Sequence, residues 1–312
     1  MERVIGRFEG QEKGPLLIVF GAMHGNEPSG VKAMELMIKM LEVEPITNPA
    51  FRFRGKLVGL IGNVQAYAQD KRFIERDLNR QFTQENIDRV SKTPIDQLKA
   101  EDLELRQLTE QVHAEIEDYK EATRLVFLDL HTTTAFGGIF TITAKDEESE
   151  RIGIELHAPV VKGLLGGING TTLHYFTSAN FDQDIAAVTF ESGQHKEELS
   201  INRAVAAITN CLRTINCVEA EHVENQHDSL LIEFSKKLPK IAQLIKVHPI
   251  KEGDCFEMMP GFKNFQHIQK GELLAKDKHG EIRAEADGLI LMPLYQKQGE
   301  DGFFLIKTIE AF

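Results

Sequence analysis

A basic excess is missing from this sequence: 36 lysines and arginines stand against 48 aspartates and glutamates, a formal net charge of −12 over 312 residues. Nucleic acids and anionic membrane surfaces are gripped by clustered Lys and Arg that neutralise phosphates, so neither is an expected partner. No apolar run approaches the roughly 18 residues that read as a membrane span. The opening residues, MERVIGRFEG, lack the apolar core of a secretory leader. The expectation is a cytoplasmic globular chain. Cysteine is scarce as well. Cys211, Cys217 and Cys255 are odd in number and lack the close pairing of a structural zinc site, which argues against a disulfide framework and for reduced thiols. Internal repeats and low-complexity segments are also absent.

What is present is enough apolar residue, 42%, to bury a large core, over a length that favours one large domain and a smaller one. From residue 15 to about 217, short apolar runs alternate with segments of helical period, the pattern of an α/β sheet. PLLIVFGA (15–22), KLVGLIG (56–62), RLVFLDL (124–130) and AAVTFES (186–192) read as strands. Val31, Met34, Met37, Ile38 and Leu41 form one helical stripe, opened by Pro28 and Ser29, whose fixed φ and hydroxyl suit a helix start. Two further stripes run from Leu105 to Tyr119 and from Leu199 to Ile215, and all three read as core faces. The polar stretch 218–228 reads as a connection. Beyond about residue 247, short strand-like runs alternate with turn signals such as KEGD, QKGE and EADG, the mark of a small all-β unit. The expected division is an α/β catalytic domain over 1–217 and a β-rich domain over 218–312 that caps its site.

In an open α/β sheet, functional groups collect beyond the C-terminal ends of strands. His24 and Glu27 follow the first strand in GAMHGNE, His131 ends the third in DLHTTT, and Glu191 closes the fourth. Two neutral imidazoles and a carboxylate make a tripod suited to one Zn²⁺ with a position left open for water, and a free carboxylate beside it can carry the proton. Asp129, two residues before His131, shares its strand face and could either orient an imidazole or pair with an arginine. His195 reads as a helix-start polar residue. In KRFIERDLNRQF (71–82), an amide beside a guanidinium, Asn79 and Arg80, suits bidentate capture of a carboxylate.

GAMHGNE, GNVQAYAQDKRFIERDLNR, LDLHTTT and FESGQH, in that order, resemble the succinylglutamate desuccinylase/aspartoacylase family, zinc-dependent amidohydrolases related to the zinc carboxypeptidases. The likeness extends to the C-terminal stretches PGFKNFQHIQKGELLA and GLILMPLYQKQG. It implies a zinc-carboxypeptidase-like mixed sheet flanked by helices with a smaller C-terminal β domain, and a small-molecule N-acyl amino acid as substrate. It also implies zinc ligands His24, Glu27 and His131, a catalytic carboxylate in Glu191, and an oxyanion-stabilising arginine in Arg72. Asn79 and Arg80 then hold the substrate's α-carboxylate, with Tyr295 reaching in from the C-terminal domain. A homo-oligomer is compatible with this reading. One departure is expected to matter: where aspartoacylase has an arginine ten residues before the catalytic glutamate, this chain has Phe181, flanked by Asp182 and Asp184. N-acetylaspartate is therefore expected to be a poor substrate. The alternatives are a zinc carboxypeptidase acting on peptides, or a silent zinc-binding or carrier-like protein, the latter suggested by Lys278 in an Asp-Lys turn.

Overall fold

A computed structural model describes residues 1–219 and 226–311. Most of the connection expected over 218–228 therefore lies outside the described residues. The strands, in chain order, are β1 (Val4–Glu9), β2 (Glu12–Gly21), β3 (Arg54–Ile61), β4 (Leu125–Thr133), β5 (Phe140–Thr143), β6 (Val160–Lys162), β7 (Ile185–Gln194), β8 (Pro239–Pro249), β9 (Glu257–Met258), β10 (Gln266–Ile268), β11 (Leu273–Asp277), β12 (Gly280–Arg283), β13 (Gly288–Leu291) and β14 (Asp301–Ala311). Eleven of them form one mixed sheet in the order β1-β3-β2-β4-β7-β5-β6-β8-β14-β13-β10, and β12-β11-β9 form a small second sheet. The mixed α/β class expected from the sequence is what the chain adopts.

The centre of the large sheet is parallel: β3, β2, β4 and β7 run side by side in one direction. Such strands are covered on both faces, which is why they read as unbroken apolar runs. Leu16, Ile18 and Phe20 of β2 pack on the side of Leu105, Leu108 and Val112. Leu17 and Val19 pack on the opposite side with Met34, Met37, Ala204 and Ile208. The pleat's period of two thus splits one strand between two cores. Helix Ala100–Asp118 covers the first face, and helices Ser29–Thr47 and Leu199–Thr214 cover the second. Each fully buried Leu, Ile or Phe contributes roughly 1.5–3 kcal/mol, so these interleaved faces anchor the strand ends where the polar residues gather. Ser29 does not cap its helix. Its hydroxyl bonds Ser200 at 2.7 Å, joining the two helices on that face instead.

Beyond β7 the sheet continues through β5 and β6 to β8, where Val160, Val161 and Lys162 pair in parallel with Ile241, Ala242 and Gln243. From β8 onward the pairing is antiparallel, through β14 and β13 to β10. A separate apolar cluster, including Met258, Phe262, Leu274 and Phe303, fills the space between these strands and the second sheet. A helix, Gln226–Ser235, precedes β8 within the β-rich region expected over 218–312, and the described residues beyond 247 hold strands and turns as expected. No helix among the described residues is long and apolar enough to cross a membrane.

Candidate active site

The loop leaving β2 folds back under the β3 connection. Gly25 donates its N–H to the carbonyl of Arg72 at 3.1 Å, and a Cβ at this position would lie 2.1 Å from the carbonyl carbon of Ala66. Only glycine permits that approach. The turn is closed by the Glu27 N–H on the His24 carbonyl at 3.0 Å, which brings the two side chains together. His24 Nδ1 lies 2.9 Å from Glu27 Oε1, and His131 Nδ1, on β4, lies 3.1 Å from Glu27 Oε2. All three residues are at most 5% exposed, and their donor atoms fall within 4.8 Å of one another.

The far side of each imidazole is also held. His24 Nε2 lies 3.0 Å from Asp77 Oδ1, and His131 Nε2 lies 3.1 Å from Asp129 Oδ2. A histidine whose Nε2–H donates to a carboxylate presents a lone pair at Nδ1, the arrangement found around metal ligands. Of the alternatives open for Asp129, the structure places it against the imidazole, with Thr172 donating its hydroxyl to the same carboxylate oxygen at 2.6 Å. Burial alone would raise the Glu27 and Asp77 carboxyls, but the imidazoles, with Arg72 at Asp77, overcome it and hold both well below the usual range. Burial would likewise lower His131, and the carboxylates of Asp129 and Glu27 overcome it and hold it well above an ordinary histidine. The cluster thus gathers one carboxylate and two Nδ1 atoms around a common space. A divalent cation of the borderline-soft kind fits that donor set.

Glu191 is the register partner of His131 on the neighbouring strand β7. It is 6% exposed, and its Oε2 has no hydrogen-bond partner. Burial first, then the negative charges of Glu27 and Asp129, push its carboxyl up to about 8, against the opposing pull of His131 and Arg72. Arg72 sets Nη2 on Asp77 at 2.9 Å and Nη1 3.6 Å from Glu27, and its buried Nε–H has no partner. Asn79 accepts the Thr172 N–H at 3.0 Å and places Nδ2 3.3 Å from His131 Nε2. Arg80 donates Nη1 to the Asn79 carbonyl at 2.9 Å and Nη2 to Asp301 of β14 at 2.5 Å. His24, Glu27, Arg72, Asn79, Arg80, His131 and Glu191 all line one cleft of about 800 Å³, open mouth included. Met292, Leu294, Gly299, Glu300 and Phe304 form its opposite wall.

Two expected features do not reach this cleft. The Tyr295 hydroxyl accepts the Phe262 N–H at 2.8 Å and donates to the Met259 carbonyl at 2.9 Å, and the ring is not part of the wall, although its neighbours Leu294 and Gln296 are. Phe181 packs on His113, Tyr175 and Phe176. With Asp182 and Asp184 it precedes β7, whereas Glu191 lies near the strand's other end. At about 3.3 Å per residue that is roughly 20 Å away, so these residues cannot set the charge met by a substrate.

Three residues gain a place that the sequence did not assign them. Asp77 is fully buried, caps the short helix Leu78–Arg80 by accepting the Asn79 N–H at 2.9 Å, and joins His24 to Arg72. Glu101, also fully buried, accepts the successive N–H groups of Ile74, Glu75 and Arg76 at 2.6, 2.9 and 3.2 Å. It thereby fixes the loop between Arg72 and Asp77. Its position in the first turn of a helix is the one sequence signal, and that reads more simply as dipole complementarity. His195 is the third. Its Nδ1 lies 2.7 Å from the Thr132 hydroxyl, its Nε2 is buried without a partner, and the ring lines the cleft.

Comparison with known proteins places this geometry. Residues 13–215 match the family profile described as the succinylglutamate desuccinylase/aspartoacylase catalytic domain. The succinylglutamate desuccinylase of Pseudomonas putida (strain GB-1) is 25% identical over 282 residues, covering 86% of this chain and 75% of that protein. A probable aspartoacylase of a Nostoc species is 30% identical over 129 residues, 41% of this chain and 39% of its own. Among solved structures, the product-bound ectoine utilization protein EutE (DoeB) from Ruegeria pomeroyi superposes with a TM-score of 0.65 at 17% identity, covering 97% of this chain and 88% of that one. A succinylglutamate desuccinylase from Vibrio parahaemolyticus gives 0.60 at 18%, covering 96% and 83%. At these identities the structural matches speak for the fold alone.

Proposed function

Because the chain belongs to the succinylglutamate desuccinylase/aspartoacylase family, we propose that it is a zinc-dependent hydrolase that cleaves the amide bond of an N-acyl amino acid. The observation that carries this reading is the buried His24, Glu27 and His131 cluster, with both outer imidazole nitrogens on carboxylates and the unpartnered Glu191 oxygen on the adjacent strand. His24 Nδ1, His131 Nδ1 and Glu27 would hold one zinc. Zinc bound in such a site polarises a carbonyl and acidifies water.

Glu191 supplies the proton traffic. Its free Oε2 takes a proton from the attacking water and returns it to the leaving amine, a role open to a buried carboxylate oxygen with no other partner. Arg72, held by Asp77, directs its free Nε–H toward the oxygen on which negative charge develops. Asn79 and Arg80 bind the α-carboxylate. When His131 gives its Nε2–H to Asp129, the Asn79 amide has no acceptor on that ring, and Nδ2 is free for the substrate. Tyr295 has no part in this scheme. Residues 218–312 cap the cleft of the unit formed by 1–217, and the wall from Met292 to Phe304 favours a small substrate over a peptide. The direct test is a hydrolysis screen over N-acyl amino acids with elemental analysis. About one zinc per chain and chelator-sensitive release of the amine are expected. Metal-free protein that still turns over would overturn the assignment.

A further inference from the structure

Ion pairing around the cleft is unbalanced in a way that bears on the substrate. Of its described lining residues, Arg72 and Arg80 are the only lysines or arginines, and each is already matched by a protein carboxylate, Arg72 by Asp77 and Arg80 by Asp301. The Arg80 and Asp301 side chains are only 17% and 14% exposed, so their pair is poorly screened by water. Glu300, the next lining residue, is 52% exposed at the mouth and comes no nearer to Arg80 than 4.0 Å, from Oε2 to Nε. Its carboxyl has no close cationic partner, and burial together with the charge of Asp77 raises its affinity for protons. The unpartnered Glu191 oxygen faces the same space.

An anionic substrate side chain therefore meets no lysine or arginine of the lining that is free of a protein carboxylate, and Glu300 repels it. A neutral side chain leaves Glu300 as it is and gives Asp301 nothing in exchange when the α-carboxylate competes for Arg80. A cationic side chain resolves both. The guanidinium has five N–H donors, of which two are engaged, so Arg80 can accept an α-carboxylate beside Asp301 if a second cation arrives with it.

Resting on the deacylase reading above, we propose that the substrate is the Nα-acyl form of a diamino acid, with Glu300 and Asp301 receiving its side-chain ammonium while Arg80 binds its α-carboxylate. Glu300 and Asp301 are then specificity-determining residues supplied by the C-terminal region.

The test is calorimetric binding of ornithine, norvaline and glutamate to the zinc-supplemented protein, in wild type, Glu300→Gln and Asp301→Asn, beside turnover of their Nα-acetyl forms. Ornithine is expected to bind about tenfold or more tightly than norvaline, the scale of a charge-assisted contact, and glutamate more weakly than either. The ratio should fall toward one in each variant. If norvaline or glutamate binds as well as ornithine, or if the ratio survives both substitutions, the proposal is overturned. If Nα-acetylnorvaline or Nα-acetylglutamate is hydrolysed at least as efficiently as Nα-acetylornithine, the proposal falls and the deacylase reading stands. A binding ratio as expected with no hydrolysis of any acetyl form, nor of the corresponding Nα-succinyl forms, leaves the cation receptor in place and removes the deacylase.

Discussion

The two walls of the cleft are made differently. On one side, His131 and Glu191 sit opposite each other in a parallel sheet, and His24, Asp77 and Arg72 are tied to them by buried carboxylates with almost no freedom left. On the other, residues 292–304 come from the loop after β13 and the start of β14, where Glu300 is half exposed and Arg80 crosses the gap to Asp301, with Glu300 4.0 Å away. The difference assigns separate tasks. On the proposed reading, chemistry that needs atoms fixed within a few tenths of an ångström is placed on register partners of a buried sheet, and selection among substrates is left to a loop that can vary without moving them.

The largest way to break this division is on the rigid wall. His24→Ala should remove most of the zinc, measured by elemental analysis, and abolish turnover. Glu191→Gln should keep the metal and fold while losing roughly 10²-fold or more in kcat. Normal turnover by Glu191→Gln would move proton transfer to another group. Next is the support beneath that wall. Glu101→Ala strands three backbone N–H groups that it now satisfies, and is expected to cost about 3 kcal/mol in chemical denaturation. It should also lower kcat, because the Arg72 loop loses its anchor. A stable variant with wild-type kcat would mean that the loop is held by its other contacts.

A smaller effect separates the regions by pH. His248 on β8 stacks on Phe303 at 5.0 Å and lies beside Phe256, and burial lowers its proton affinity below the ordinary value of 6.5. Its stabilisation is complete above 6.5, where the unfolded imidazole is neutral too. It is lost as pH falls through the lower folded value, because the unfolded chain takes up the proton first. Melting curves between pH 7.5 and 5.5 should therefore decline in wild type and decline less in His248→Phe. The smallest effect is chemical. Burial pushes the Cys211 thiol up to about 12 and Cys217 higher still, whereas Cys255 is exposed. A thiol reagent should label one cysteine in the native chain, the one in the C-terminal region, and all three after denaturation.

The same contrast explains what the sequence disclosed. β2, β3, β4 and β7 were legible because strands covered on both faces are continuous apolar runs bounded by polar residues, and the metal-ligand candidates followed from where those runs end. β5 and β6 are too short for a period to register, and the pairing of β6 with β8 joins residues some 80 positions apart that carry no local mark. Asp77 and Glu101 escaped notice because a carboxylate's role is set by the backbone groups it meets, and those come from another part of the chain. Phe181 was misjudged by counting positions along the sequence. A strand separates its two ends by its whole length, and Phe181 stands before the first residue of β7 while Glu191 lies toward its other end.

The seam of three residue pairs between β6 and β8 makes the C-terminal region a continuation of the large sheet. The second wall of the cleft is the segment between β13 and β14. That segment is tied down along its length: Thr134 donates to the Pro293 carbonyl at 2.9 Å and accepts the Tyr295 N–H at 3.1 Å, the Tyr295 hydroxyl bonds Phe262 and Met259, Asn26 donates to Gln296 at 2.9 Å, and Gln298 donates to the Phe73 carbonyl at 3.2 Å. Divergence of substrate preference within such an architecture can proceed by rewriting one loop, with the sheet that positions the reacting atoms inherited unchanged.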